Sequence, residues 1–199
     1  ATTYGNPTYG VDGIDALAMD FDGVDDAIMA DHDDSLDMGT SDFTISLWIK
    51  IDEVSSTMQR VFHKGDSTTF SLIQYDHTRW LLYAGITNYI EYSQAPVVDE
   101  WTHIVFRRET NYGGSANNIQ LSFSINGLEV DTQDYANAPL NLSNSEKLVI
   151  GAHKNNVDSA PSGNWINASL DELKFHKRFM SDSEVTSLYE GGIAMRNYW

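Results

Sequence analysis

The sequence predicts an all-β protein, a two-sheet antiparallel β-sandwich with one short C-terminal helix. Three observations carry this. Phe43, Ile45, Leu47 and Ile49 alternate with Thr44, Ser46, Trp48 and Lys50, the period-two pattern of a strand with one face in a core. Asn126-Gly127 joins Leu121, Phe123 and Ile125 to Leu128 and Val130, and Asn-Gly accepts the positive φ of a tight hairpin turn. Gly, Asn, Asp and Ser recur at short intervals along the rest of the chain, leaving strand-length segments between them.

In chain order, further strands are expected at Asp15–Phe21, Asp25–Ala30, Arg60–Lys64, Thr69–Gln74, Trp80–Tyr83, Tyr89–Ser93 and Trp101–Arg108. Ile119–Ile125, Leu128–Gln133, Lys147–Ala152 and Ala168–His176 follow. Strands at this spacing pack as two antiparallel sheets or close into a barrel, and we take the sandwich. One helix is expected near the end. Ser181 and Glu184 have capping-box spacing, Val185, Leu188 and Tyr189 form an apolar stripe, and Gly191 or Gly192 supplies a left-handed stop after about two turns. The expected organisation is an N-terminal arm over 1–13, one sandwich domain over 14–190 and a C-terminal tail over 191–199.

The chain has 199 residues, 23 aromatics and a formal charge of −17. Its first fifty residues hold eleven Asp, no Glu and one Lys. Such acidity admits carboxylates gathered for a hard cation or a merely solvated face. No basic patch exists, so neither a nucleic acid nor an anionic membrane surface is an expected partner. The absence of cysteine excludes disulfides, thiolate catalysis and Cys-ligated metal. No apolar run reaches the roughly 18 residues of a bilayer-crossing helix, so membrane insertion is not expected. Two Asn-x-Ser sequons, at Asn141 and Asn167, are read as chance matches in an Asn- and Ser-rich chain.

Several segments, taken together and in order, resemble a known family. They are Leu17-Ala18-Met19-Asp20-Phe21-Asp22-Gly23, Asp42-Phe43-Thr44-Ile45-Ser46-Leu47-Trp48, His63-Lys64-Gly65, Trp101-Thr102-His103, Ile150-Gly151 and Ala168-Ser169-Leu170-Asp171-Glu172-Leu173. The series resembles the concanavalin A-like, laminin G-like (pentraxin-like) jelly-roll domains and runs from about residue 14 to 190. The resemblance implies a sandwich of two curved sheets. It favours binding over catalysis without naming a ligand, because glycan binders, adhesion modules, hydrolase accessories and structural decorations share the fold. It also implies a calcium ion, Ca²⁺, for which Asp22 and Asp171 are the candidate ligands if the opening and closing strands run side by side. The alternative for this pair is a turn-capping Asp22 and an Asp171 that accepts backbone N–H bonds.

Other motifs are weaker. Asp31–Asp37 fails the EF-hand template, with Leu36 where Gly is required and Asp42 where Glu is required, and reads as a hydrated loop. Asp66 is a further loop carboxylate. No G-x-S-x-G, H-E-x-x-H or phosphate-binding Gly loop occurs, so an enzyme is not expected. Glu129, Asp131 and Asp134 imitate a glycosidase spacing, and a regular strand would put Glu129 and Asp131 on one face. The six histidines show no metal-ligand spacing, and His103 reads as half-buried and structural. Aromatic rings stack on the apolar faces of sugars, which makes Trp48, Trp80, Tyr112 and Trp165 the candidate ligand-binding rings.

The reading is a non-catalytic glycan-binding or adhesion module, recognising a surface polysaccharide or glycan, extracellular, with calcium ordering its loops. The alternative is a structural or decoration subunit of a virion or extracellular array, acting through protein contacts. The aromatic ends of the chain, Tyr4, Tyr9 and Tyr198-Trp199, would then serve self-association or docking on a capsid.

Overall fold

A computed structural model describes residues 1–65, 70–75, 78–85, 87–138, 141–154 and 159–197. The candidate Asp66 and the terminal Tyr198-Trp199 lie outside the described residues. The strands are β1 (Thr2–Tyr4), β2 (Thr8–Asp12), β3 (Leu17–Asp22), β4 (Ala27–Ala30), β5 (Phe43–Ile51), β6 (Gln59–Lys64) and β7 (Phe70–Tyr75). They continue with β8 (Arg79–Ala84), β9 (Tyr89–Tyr92), β10 (Trp101–Thr110), β11 (Ile119–Ile125), β12 (Leu128–Tyr135), β13 (Leu148–Ile150) and β14 (Asn167–His176). A helix, α1 (Asp182–Arg196), ends the described chain.

Two seven-stranded antiparallel sheets result. The first has the order β1-β4-β13-β6-β7-β8-β9 and the second β12-β11-β10-β5-β14-β3-β2. Phe43, Ile45, Leu47 and Ile49 all enter the core between the sheets, as their alternation requires, and meet Phe62, Phe70, Leu72 and Leu82 from the first sheet. Asn126 and Gly127 take φ of 51° and 80°, the geometry of the expected hairpin turn. β12 forms an outer edge of the second sheet, where Leu128 and Val130 face solvent among Glu129, Asp131 and Asp134. Charges along such an edge oppose pairing with other chains.

The N-terminal segment, expected to lie outside the domain, instead supplies an edge strand to each sheet. β1 pairs with β4 in the first sheet and β2 with β3 in the second. The backbone N–H of Asn6, between them, donates to Asp26 Oδ1 at 2.6 Å, which pins the crossing. On the opposite flank the Tyr135 hydroxyl donates to Tyr89 O at 2.6 Å and accepts from Tyr89 N at 3.0 Å, tying the edge strands of the two sheets together.

α1 begins with the expected Ser181/Glu184 capping box but runs 15 residues, straight through Gly191 and Gly192. It packs on the outer face of the second sheet. A Cβ at Gly192 would lie 2.6 Å from Trp48 Cζ2, so this glycine serves close approach rather than a helix stop. Buried Arg107 on β10 fastens the start of the helix, donating to Met180 O at 2.8 Å, Asp182 Oδ1 at 2.8 Å and Glu129 Oε2 at 2.6 Å.

Candidate functional site

The four candidate rings do not converge. Trp48 is 3% exposed beneath α1, stacked 5.6 Å from Tyr189, so it lines no open face. Trp80 is buried in the core between the sheets. Tyr112 and Trp165 are half-buried in loops at opposite ends of the sandwich, the first after β10 and the second before β14.

The Asp22/Asp171 pair does not form either. β3 and β14 do run side by side, but their register sets Asp22 opposite Asn167 and Met19 opposite Leu170. Asp171 therefore lies four residues further along β14 from Asn167, about 13 Å at the usual rise per residue. Its Oδ2 accepts from Ile14 N at 2.8 Å and Asp15 N at 3.1 Å, which fastens the loop before β3 onto β14. Asp22 caps its own turn, Oδ1 accepting from Val24 N at 2.8 Å. Its carboxylate neighbours are Asp25 and Asp26, with one oxygen from each of the three within 4.8 Å of the others. Buried Asp26 is already committed, accepting from Asn6 N and, at 3.0 Å, from Asp22 N. Asp22 and Asp25 are the exposed members that could meet a cation.

Glu129 and Asp131 fall on opposite faces. Glu129 opposes Ser124 while Asp131 opposes the adjacent Phe123, because a bulge at Val130 shifts the register. Glu129 turns to Arg107 and the glycosidase-like pair is absent. The Asp31–Asp37 segment is a largely exposed loop with a 3-10 turn at Asp34–Leu36, where the Asp33 carboxylate accepts from Ser35 N at 2.8 Å.

The side chains with the most chemistry gather instead on the outer face of the first sheet. The pairing registers align Val149, His63, Ser71, Tyr83 and Tyr89 in one row across β13, β6, β7, β8 and β9. A second row holds Arg60, Ile73, Leu81 and Glu91. Arg60 and His63 are three residues apart and share this face only because β6 bulges between Arg60 and Phe62, which also sends both Val61 and Phe62 into the core. His153, from the loop after β13, lies 5.5 Å from the His63 ring.

The His63 Nε2 accepts from Lys154 N at 3.2 Å, so its Nδ1 carries the proton and donates to Gly65 O at 3.2 Å. Burial, with the nearby Arg60 charge, pushes this ring down to about 3, so it is neutral at pH 7. Burial likewise lowers Arg60 to about 10. Toward β9 the face opens. Tyr89 is 41% exposed, its ring 5.5 Å from that of half-buried Tyr83, and Glu91, two residues further along β9 on the same face, pairs with Arg79 at 2.8 Å. Two aromatic rings on the same face as a charge-balanced donor and acceptor pair can hold a flat polyhydroxylated ligand.

The family model described as "Concanavalin A-like lectin/glucanases superfamily" matches residues 22–186, and the chain belongs to that family. No curated protein matches the sequence. Among solved structures, the chain is similar to the binding domain of Paraclostridial Mosquitocidal Protein 1, at TM-score 0.73 and 16% identity, covering 96% of this chain and 47% of that one. It is also similar to the receptor binding domain of botulinum neurotoxin C/D mosaic serotype, at TM-score 0.71, 13% identity, and 96% and 46% coverage. The heptameric SAP-like pentraxin from Limulus polyphemus aligns at TM-score 0.64 and 13% identity, covering 89% of this chain and 83% of that one. The chain thus spans about half the length of the two toxin domains. At these identities the likeness is one of fold.

Proposed function

We propose that the chain is a non-catalytic, extracellular carbohydrate-binding module that docks a glycan on the open end of the first sheet's outer face. The observation that carries this is the Tyr83–Tyr89 ring pair on the outer face, outside the core, with the Arg79–Glu91 ion pair further along the same face. The rings supply a surface for the C–H face of a sugar, and Arg79 and Glu91 supply hydrogen bonds to its hydroxyls. The membership of a lectin and glucanase superfamily and the likeness to toxin binding domains support a binding role.

A glycan array followed by titration calorimetry tests the reading. Tyr89→Ala and Tyr83→Ala should each weaken the best ligand at least tenfold, about 1.4 kcal/mol, with the thermal midpoint nearly unmoved. Silence across the array, or unchanged affinity in both variants, would sink it.

Calcium enters this reading at Asp22 and Asp25, where it would order the turn between β3 and β4. Calcium should then raise the melting temperature of the wild type and leave that of an Asp22→Asn, Asp25→Asn variant unchanged. Equal shifts in both proteins would remove the ion from the proposal.

A further inference from the structure

On the flank where β1 and β2 add the edge strands, a groove of about 220 Å³ opens between the two sheets, and the glycan reading does not use it. The second sheet lines it with Tyr9, Leu17 and Met19, and the first sheet with Ile28 and Ile150. Two of these apolar side chains are left to water, Tyr9 at 69% exposure and Leu17 at 44%. Large apolar groups exposed together beside a concave surface mark a contact site more often than a lone exposed leucine does.

The sheet edges on the opposite flank are guarded. Glu129, Asp131 and Asp134 lie along β12, and the Tyr135 hydroxyl occupies both main-chain groups of Tyr89 on β9. β2 has neither device. It is the last strand of its sheet among the described residues, and Asp12 is its one charged residue. A bulge at Gly10 breaks its ladder, so this flank suits an inserted side chain better than an added strand.

Charge then selects the occupant. Exposed Asp12 lies opposite Leu17 in the β2–β3 pairing, and exposed Asp15 precedes Leu17 in the turn, its carbonyl accepting from Leu17 N at 3.0 Å. Asp171 lines the groove itself, and its carboxylate accepts only main-chain N–H groups, from Ile14, Asp15 and Glu172. Among the described residues no Lys or Arg pairs with any of the three. Glu172, also in the lining, is neutralised by Lys174. The chain has eleven Asp and neither Lys nor Arg before Lys50, so nothing in β1 to β4 offsets this rim. An anionic amphiphile would bring its head to three unpaired carboxylates. A second copy would set those carboxylates against themselves in a chain of formal charge −17. A cationic partner with an apolar anchor satisfies both the floor and the rim.

We propose that this flank docks a basic peptide segment of a partner protein, one large apolar side chain filling the groove and the Lys or Arg residues beside it meeting Asp12, Asp15 and Asp171. The test titrates the ¹⁵N-labelled full chain with the end-capped peptide Lys-Lys-Trp-Lys-Lys. Saturable shifts centred on the Tyr9, Leu17, Met19 and Leu170 amides are expected. Lys-Lys-Gly-Lys-Lys should bind at least tenfold more weakly, and Glu-Glu-Trp-Glu-Glu should not bind. Leu17→Ser changes an exposed side chain, should keep the thermal midpoint near that of the wild type, and should weaken the tryptophan peptide at least fivefold. Asp12→Asn with Asp15→Asn should weaken it too and flatten its salt dependence. Equal affinity for the tryptophan and glycine peptides, binding of the acidic peptide, unchanged affinity in Leu17→Ser, or shifts centred elsewhere would each overturn the assignment. Self-association of the free chain that Leu17→Ser abolishes would also overturn it, giving the groove to a second copy. Tyr83→Ala should leave peptide binding intact, so failure of the glycan reading and failure of this one are separable.

Discussion

Two histidines, His63 outside the first sheet and His103 outside the second, are buried with neutral rings. Their ordinary value is near 6.5; burial takes His63 to about 3 and His103 to about 4. Above pH 6.5 neither the folded nor the unfolded chain protonates them, and their effect on stability is constant. Between 6.5 and the lowered values the unfolded chain binds protons that the folded one refuses. Stability therefore falls with pH in that window, by up to about 1.4 kcal/mol per unit for each ring. Denaturant midpoints should drop from pH 7 to pH 5 in the wild type and drop less in His63→Gln. Parallel pH profiles for the two proteins would refute the buried-neutral assignment. Both residues looked like scattered histidines in the sequence, because neither local spacing nor alternation reveals what covers the outer face of a strand.

At the scale of single elements, bulges and close approaches rearranged what regular periodicity implies. One extra residue in β6 puts Arg60 beside His63, and one in β12 separates Glu129 from Asp131. A bulge inverts the face of everything beyond it, and no local composition marks where it falls. The Asn126-Gly127 turn and the Ser181/Glu184 cap were legible because each is closed by hydrogen bonds and φ preferences within a few residues. The two glycines of α1 look alike in sequence and differ in structure. Gly192→Ala should destabilise the protein despite its better helix propensity, since the Trp48 ring occupies the place of the new methyl. Gly191→Ala should stabilise it by up to about 1 kcal/mol, because only propensity changes. Thermal unfolding of the pair checks this, and a matching sign for both substitutions contradicts the packing argument.

At the scale of the whole molecule, residues 2–12 cross from one sheet to the other and add the edge strand of each sheet on one flank. A groove there, lined by Tyr9, Leu17, Met19, Phe21 and Ile28, has a volume of about 220 Å³. Deleting residues 1–12 uncovers it and frees the edges of β3 and β4. The thermal midpoint should fall by roughly 10 °C, taking about 3 kcal/mol for two lost edge strands in a domain of this size, and binding of a hydrophobic dye should rise. A deletion protein that melts with the wild type would show that the segment contributes nothing to closure. By itself the sequence determined the sandwich class, the core face of β5, the hairpin and the capped helix, and its ordered motifs pointed to the family. All of these follow from alternation, turn chemistry or capping over short stretches of chain. Only the tertiary structure decided that Trp48 lies under a helix, that Asp22 meets Asp25 and Asp26 rather than Asp171, and that Tyr83 joins Tyr89 on an open face. Those outcomes depend on register between distant strands, where a slip of one residue reverses a side chain and a shift of four carries a carboxylate across the sheet.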